Sequence, residues 1–297
     1  MSDVLSTIIV NYNAGDLLRA CVNSLLNCDL EIEVIVVDNA SADASLDKLA
    51  GLPNLKVIRN PSNLGFAAAC NIGIQVASAP ILLFLNPDCF LEPDTITKLM
   101  QAQQTDAQVG MVGGLLVNLD GTEQAGGRRA IPTPWRSFVR AFGLARFADR
   151  WPRVFFDFHL HKQALPLDTI EVEAISGACM MVKLQVLQDV GGWDEGYFLH
   201  CEDLDWCMRF RQRGWKILFV PSAKITHALG VCGRSRPIFV EWHKHRGMIR
   251  FYNKFFRHQY PGGLMALVTL GVWLRFLLVA VYYTFKRVGH KLGVLRG

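Results

Sequence analysis

The sequence predicts an α/β protein: a mostly parallel sheet covered by helices on both faces. Three observations carry that expectation. Strand-like and helix-like segments alternate through the N-terminal half of the chain. The strand candidates are short, nearly continuous apolar runs such as Ile81–Leu85, as expected of strands buried on both faces. Polar residues collect where these runs end, at Asn11-Tyr12-Asn13, Asp38-Asn39 and Asn86-Pro87-Asp88. The carboxyl ends of parallel strands are where open α/β sheets bind their ligands.

Taken in order, the first strand covers Thr7–Val10 and leads to a helix at Leu17–Leu26. A second strand at Glu33–Val37 is followed by a helical turn at Leu46–Leu49 and a third strand at Leu55–Ile58. Phe66–Val76 reads as a helix, and Ile81–Leu85, held between Pro80 and Pro87, as the fourth strand. A helix at Asp94–Gln104 and a strand at Gly110–Val117 complete the alternating pattern. Residues 118–172 break it, with several glycines and prolines, Arg128-Arg129 and an aromatic-basic stretch from Trp135 to Phe158. An insertion of that length is either a mobile functional loop or a partner surface. Regular structure resumes at Ile175–Ala178, followed by a helix at Lys183–Val190 and a short strand at Lys216–Val220.

At 297 residues the chain accommodates one large domain, residues 1–236, plus a C-terminal extension, residues 237–297. A net charge of +5 is too mild for a nucleic-acid partner and suits anionic lipid or a phosphorylated ligand. Neither GxGxxG nor GxxxxGK[ST] occurs, so a dinucleotide fold and a P-loop are unsupported. Eight cysteines include no CxxC pair and mostly lie in apolar stretches, which reads as a reduced chain without disulfides or zinc. Met1-Ser2-Asp3 lacks the basic region of a signal peptide.

Beyond residue 236 the composition changes. His243–His258 interleaves basic and aromatic side chains, and Leu264–Phe285 is apolar except for Arg275 near its centre. Its length could span a bilayer. A central arginine disfavours an isolated span, and the basic-aromatic segment before it favours a helix lying on the membrane. The alternative is a helix buried in the protein core.

Two clusters could carry chemistry. Asp88 ends a buried strand, so its carboxylate could hold a hard divalent cation shared with water and a diphosphate; the alternative is an N-cap for the helix after it. Glu202-Asp203-Leu204-Asp205 puts three carboxylates between Phe198-Leu199 and Trp206. Desolvation there raises a carboxylate's pKa and suits it to general-base work. Asp205 has a plainer use, pairing with Arg209 one turn on. His227 alone reads as structural or as a ligand, while His159, His161 and His200 show no ligand spacing.

Together, Ile9-Val10-Asn11-Tyr12-Asn13, Val36-Val37-Asp38-Asn39-Ala40-Ser41, Asn60-Pro61-Ser62-Asn63-Leu64-Gly65-Phe66-Ala67, Asn86-Pro87-Asp88 and Gly191-Gly192-Trp193-Asp194-Glu195 with Glu202-Asp203 resemble the family 2 glycosyltransferases over roughly residues 4–230. The resemblance implies an inverting enzyme of the GT-A fold, with residues 1–117 binding the nucleotide sugar and 118–236 forming the acceptor and catalytic half. It implies that Asp88 binds Mg²⁺ or Mn²⁺, with His227, 24 residues after Asp203 (227 − 203), as a further ligand. Asp203 becomes the base, with Glu202 as its substitute. Asn11, Tyr12, Asn13, Asp38, Asn39, Asn63, Asn71 and Asn86 line the nucleotide-sugar site, and Gly65 lets backbone approach the ligand. The Asn-Pro-Asp form looks most like the rhamnosyltransferase-type branch, which uses dTDP-L-rhamnose in bacterial cell-surface glycan synthesis. That implies a lipid-linked or glycan acceptor at the cytoplasmic face of the cell membrane. A transferase for galactofuranose or glucose, and an inactive membrane-bound scaffold, are the competing readings.

Overall fold

A computed structural model describes residues 5–148, 150–156, 158–228 and 236–291. Its centre is a nine-stranded sheet. β1 (Leu5–Asn11) lies between β2 (Ile32–Asp38) and β4 (Ile81–Leu85), with β3 (Leu55–Arg59) outside β2, all parallel. The register sets Asn11 beside Asp38, so the polar strand ends line up along one edge. β10 (Cys179–Lys183) then runs antiparallel between β4 and β6 (Val109–Val117). β11 (Lys216–His227) lies parallel to β6 and antiparallel to the short β5 (Cys89–Leu91).

Both sheet faces are apolar because successive strand residues point to opposite sides. Ile8 and Val10 join one core with α2 (Phe66–Val76), Trp193 and Trp206. Leu5 and Ile9 join the other with α1 (Asp16–Leu26) and α3 (Thr95–Gln104). In α1 the buried Leu18, Cys21, Val22 and Leu25 recur at helical spacing, which is why that segment docks by one stripe. Among the described residues seven cysteines are free and buried; Cys232 lies outside them.

The structure differs from the sequence expectation at several elements. Leu46–Leu49 forms only a 3₁₀ turn over Asp47–Leu49. The helix expected at Lys183–Val190 begins at Val186, because Lys183 is still paired in β10. The strand expected to stop at Val220 continues to His227, since a bulge between Val220 and Lys224 absorbs Pro221. In the 118–172 insertion, β7 (Arg128–Arg129) pairs with β9 (Ala174–Ile175), and α4 covers Pro134–Ala141. β8 (Ile170–Glu171) adds to the sheet beside β11.

Beyond the expected boundary at residue 236 the chain continues as helix. α7 (Pro237–Phe255) buries Phe251, Tyr252 and Phe255 in the main core. Arg250 and Lys254 bind Asp194 at 2.8 and 2.6 Å, and Lys254 also reaches Asp205 at 2.6 Å. Although burial opposes it, those cations and the Gly196 N–H hold Asp194 down to about 2. α7 thus packs into the same core as the sheet, and α8 (Gly262–Lys291) follows it.

α8 is about 45 Å long at 1.5 Å per residue. Its apolar stretch is only 11% buried, with Leu267, Leu270, Leu274, Leu277, Leu278 and Phe285 exposed, which excludes a core helix. Arg275 has a specific partner: its guanidinium lies 2.8 Å from Nε2 of His245 on α7.

Candidate active site

The turn after β4 is built by its own backbone. Asn86 N–H donates to Ala178 O at 2.9 Å, and Cys89 N–H donates to Asn86 O at 3.1 Å. β5 then pairs with the end of β11, setting His227 opposite Cys89. This register brings His227 Nε2 to 3.1 Å from Asp88 Oδ1, both buried. No N-capping is involved, since β5 separates Asp88 from α3.

The tautomer of His227 follows from its neighbours. The Gln124 amide nitrogen donates to Asn118 Oδ1 at 3.1 Å and to His227 O at 3.3 Å. Its carbonyl oxygen therefore faces His227 Nδ1, at 2.7 Å, and accepts the proton there. With that proton on Nδ1, Nε2, which faces the Asp88 carboxylate, is the nitrogen available to a metal. Cys89 Sγ completes a triad of possible ligand atoms within 4.8 Å. Burial pushes that thiol well up, however, so it remains a thiol, donating to Ala178 O at 3.5 Å. One carboxylate oxygen and one imidazole nitrogen this close together fit a divalent cation that takes its other ligands from water and a diphosphate.

The second corner opens α6 (Glu202–Gln212). His200 and Cys201 before it both hold left-handed backbone, at φ 68° and 71°, a costly conformation for residues with a Cβ. α7 buttresses this turn: a Cβ on Gly247 would lie 2.7 Å from His200 O. Asp203 accepts from Leu204 N–H at 2.8 Å, from Gly177 N–H at 3.2 Å and from the Arg129 guanidinium in an ion pair. The two corners meet at Gly177-Ala178, whose N–H binds Asp203 and whose carbonyl receives Asn86. Asp205 takes the structural role, pairing with Arg209 at 2.7 Å.

Glu202 is buried with one carboxylate oxygen unpartnered. Burial, then the adjacent Asp203 charge, push its carboxyl up to about 8. The folded chain therefore holds a proton that the unfolded chain releases above its ordinary value of 4.5. Stability falls as pH rises through that window. Glu202→Gln is expected to remove the dependence, with its advantage in melting temperature growing from pH 5 to 8; parallel curves for the two proteins would reject this assignment.

The expected nucleotide residues divide. Asp38 ends β2 beside Asn11, and its carboxylate accepts from Asn11 Nδ2 at 2.7 Å and Ser41 Oγ at 2.6 Å. Asn11 is fully buried and braces this turn from beneath, also reaching Ser45 at 2.8 Å. Asn39 is likewise spent internally, donating to Gly65 O at 3.0 Å and accepting from Asn60 at 2.8 Å. Asn71 clamps the glycine-rich turn, donating to Trp193 O at 2.9 Å and accepting from Trp193 N–H at 2.9 Å. Tyr12, Asn13, Asn63 and Asn86 remain partly accessible along the edge. Asn13 accepts from Ala42 N–H at 2.8 Å, and Asn63 from Gly65 N–H at 3.0 Å.

Gly65 lies against the protein's own backbone. At φ 89° its missing Cβ would sit 2.7 Å from Phe198 O, which accepts from Phe66 N–H. Gly65→Ala is expected to cost more than about 1 kcal/mol through the clash and the positive φ, read by chemical denaturation; a wild-type midpoint would contradict it.

Sequence reasoning gave no role to Arg129 or Gln124. Arg129 stood out only as one of two arginines after Gly126-Gly127, and Gln124 carried no signal at all. Their functions depend on β7 pairing with β9 and on the hydrogen bond from Gln124 N–H to Leu116 O at 2.8 Å.

A mostly parallel sheet with an acidic-histidine corner at one strand end and a carboxylate helix beside it defines a nucleotide-sugar-transferase architecture, the GT-A fold. The model of Glycosyl transferase family 2 matches residues 6–191, more than half of the chain, and that of Glycosyl transferase family group 2 matches residues 125–287. The chain belongs to glycosyl transferase family 2. It is similar to the N-acetylglucosaminyl-diphospho-decaprenol L-rhamnosyltransferase of Mycobacterium tuberculosis, at 29% identity over 76% of each chain. It also resembles the dTDP-rhamnosyl transferase RfbF of Shigella flexneri, at 26% identity over 80% of this chain and 75% of that one. Among solved structures, the mannosyltransferase PcManGT of Pyrobaculum calidifontis, in complex with GDP-Man and Mn²⁺, aligns over the whole chain and 82% of its own. Its TM-score is 0.58 at 16% identity, a likeness of fold.

Proposed function

We propose that this protein transfers a sugar, L-rhamnose from dTDP-L-rhamnose, to a lipid-linked acceptor with inversion at the anomeric carbon. The observation that carries this reading is the 3.1 Å approach of Asp88 to His227 at the sheet's carboxyl edge. Asp88 and His227 would hold Mg²⁺ or Mn²⁺, which when bound supplies Lewis-acid neutralisation of charge on a departing diphosphate. Tyr12, Asn13, Asp38, Asn63 and Asn86 line the edge where the nucleotide rests.

Asp203 is the base. The acceptor hydroxyl oxygen forms a bond to the anomeric carbon as the bond from that carbon to the diphosphate oxygen breaks, and the hydroxyl proton passes to Asp203. Arg129 pairs with the Asp203 carboxylate and fixes its place beside Gly177. The rhamnosyltransferase relatives support the donor, and the decaprenol-linked compound in the name of one supports a polyprenyl-diphosphate acceptor. The exposed apolar face of α8 supports work at the cytoplasmic face of the membrane.

A donor screen tests the proposal. The full-length protein is incubated with dTDP-, UDP- and GDP-sugars, Mn²⁺ and a polyprenyl-diphosphate-linked sugar, and nucleoside diphosphate release is measured. Release from dTDP-L-rhamnose, with an anomer opposite to the donor's in the product, is the expected result. Turnover only with UDP-galactofuranose or UDP-glucose overturns the donor, and no release from any donor favours the scaffold.

A further inference from the structure

The 118–172 insertion contains a helix whose apolar stripe faces outward. Thr133 Oγ1 caps α4 by accepting from Arg136 N–H at 3.2 Å, and Pro134 occupies its first turn. One side is fixed to the protein: Val139 is completely buried, and Ser137 Oγ lies 2.7 Å from the Tyr252 hydroxyl of α7. On another side Trp135, Phe138 and Phe142 recur at i, i+3 and i+7 and are 44%, 44% and 65% exposed. Their rings form a ladder, with centroids 5.5 Å apart between Trp135 and Phe138 and 4.5 Å between Phe138 and Phe142. Trp135 Nε1 donates to Val154 O at 2.7 Å, which ties the ladder to a second turn where Trp151 and Val154 are exposed. A helix of a soluble domain points such a stripe inward.

Charge indicates the occupant. Residues 134–155 hold five arginines and one aspartate. The same mixture of large aromatics and arginines characterises segments that lie in the headgroup region of an anionic bilayer. The buried side of α4 meets Tyr252 of α7, the helix that also carries α8 through Trp242 and Trp273, so both candidate membrane elements are fixed to α7.

We infer that α4 and the turn after it form a second membrane contact, with Trp135, Phe138 and Phe142 in the interfacial layer of an anionic leaflet. This rests on the membrane reading of α8. Two attachments would fix the orientation of the domain on the membrane.

Hydrogen–deuterium exchange on the full-length protein tests this inference. Exchange is measured in detergent, in zwitterionic phosphatidylcholine vesicles and in vesicles containing phosphatidylglycerol. Amides of residues 134–142 are expected to exchange about tenfold or more slowly in the anionic vesicles, with weaker protection in the zwitterionic ones. Phe138→Ser with Phe142→Ser should remove that protection while the peptides of α8 stay protected. Unchanged exchange over 134–142 beside a protected α8 overturns the inference and leaves the membrane reading intact. An unprotected α8 overturns both. Protection in detergent that grows with protein concentration overturns the inference in favour of a contact between copies.

Discussion

Replacing Asp203 by asparagine is expected to lower turnover by roughly 10²- to 10⁴-fold, the usual worth of a positioned general base. The substitution preserves shape, but the Gly177 and Leu204 N–H groups donate to different oxygens of Asp203, so only one of them keeps an acceptor in the amide. The Arg129 guanidinium loses its charged partner, so a modest fall in melting temperature accompanies the kinetic loss. Nucleoside diphosphate binding should survive, because no residue of the Asp88 corner changes; calorimetry with Mn²⁺ and dTDP reads this separately from activity. The comparison with Glu202→Gln discriminates the two carboxylates. An active Asp203→Asn beside an inactive Glu202→Gln would transfer the role of base to Glu202, whose raised pKa otherwise reflects its burial and the neighbouring Asp203 charge.

Asp88→Ala is expected to abolish transfer and the Mn²⁺-dependent part of nucleoside diphosphate binding. The backbone bond from Ala228 N–H to Asp88 O, at 2.9 Å, persists in the variant, so the β5–β11 pairing and the fold should remain. His227→Ala should weaken Mn²⁺ binding less completely. Gln124→Leu leaves both ligands present but removes the acceptor that keeps the proton on Nδ1, and should reduce Mn²⁺ affinity by about 10- to 100-fold. Calorimetry showing wild-type Mn²⁺-dependent binding in Asp88→Ala would remove the corner from the mechanism. Wild-type affinity in Gln124→Leu would show that His227 needs no help in presenting Nε2.

The N-terminal strands were legible because each signal was local. Ile81–Leu85 is an apolar run between two prolines, and its burial on both faces follows from that composition alone. The Asp205–Arg209 pair was readable for the same reason, since helical spacing by itself makes the two side chains neighbours. Pro221 misled because a proline ordinarily ends strand pairing, while the bulge that accommodates it depends on neighbouring strands. For Asn11, Asn39 and Asn71 the residue type did not reveal an internal role: an amide at a strand end or in a motif serves a ligand or a brace equally well. Only packing showed that they bond to Asp38, Gly65 and Trp193.

The sequence by itself determined the alternation of strands and helices, the polar edge at their carboxyl ends, the family resemblance and the apolar character of residues 264–285, all set by composition and spacing within short windows. The resemblance set Asp88 and His227 together, while tertiary structure alone decided how the β5–β11 register presents Nε2, that Arg129 holds Asp203, that α7 packs into the main core and that the α4 stripe faces outward. Each of these depends on strand register or on helix docking between segments far apart in the chain. Such contacts form only when the whole core closes, and no local pattern of residue types encodes them.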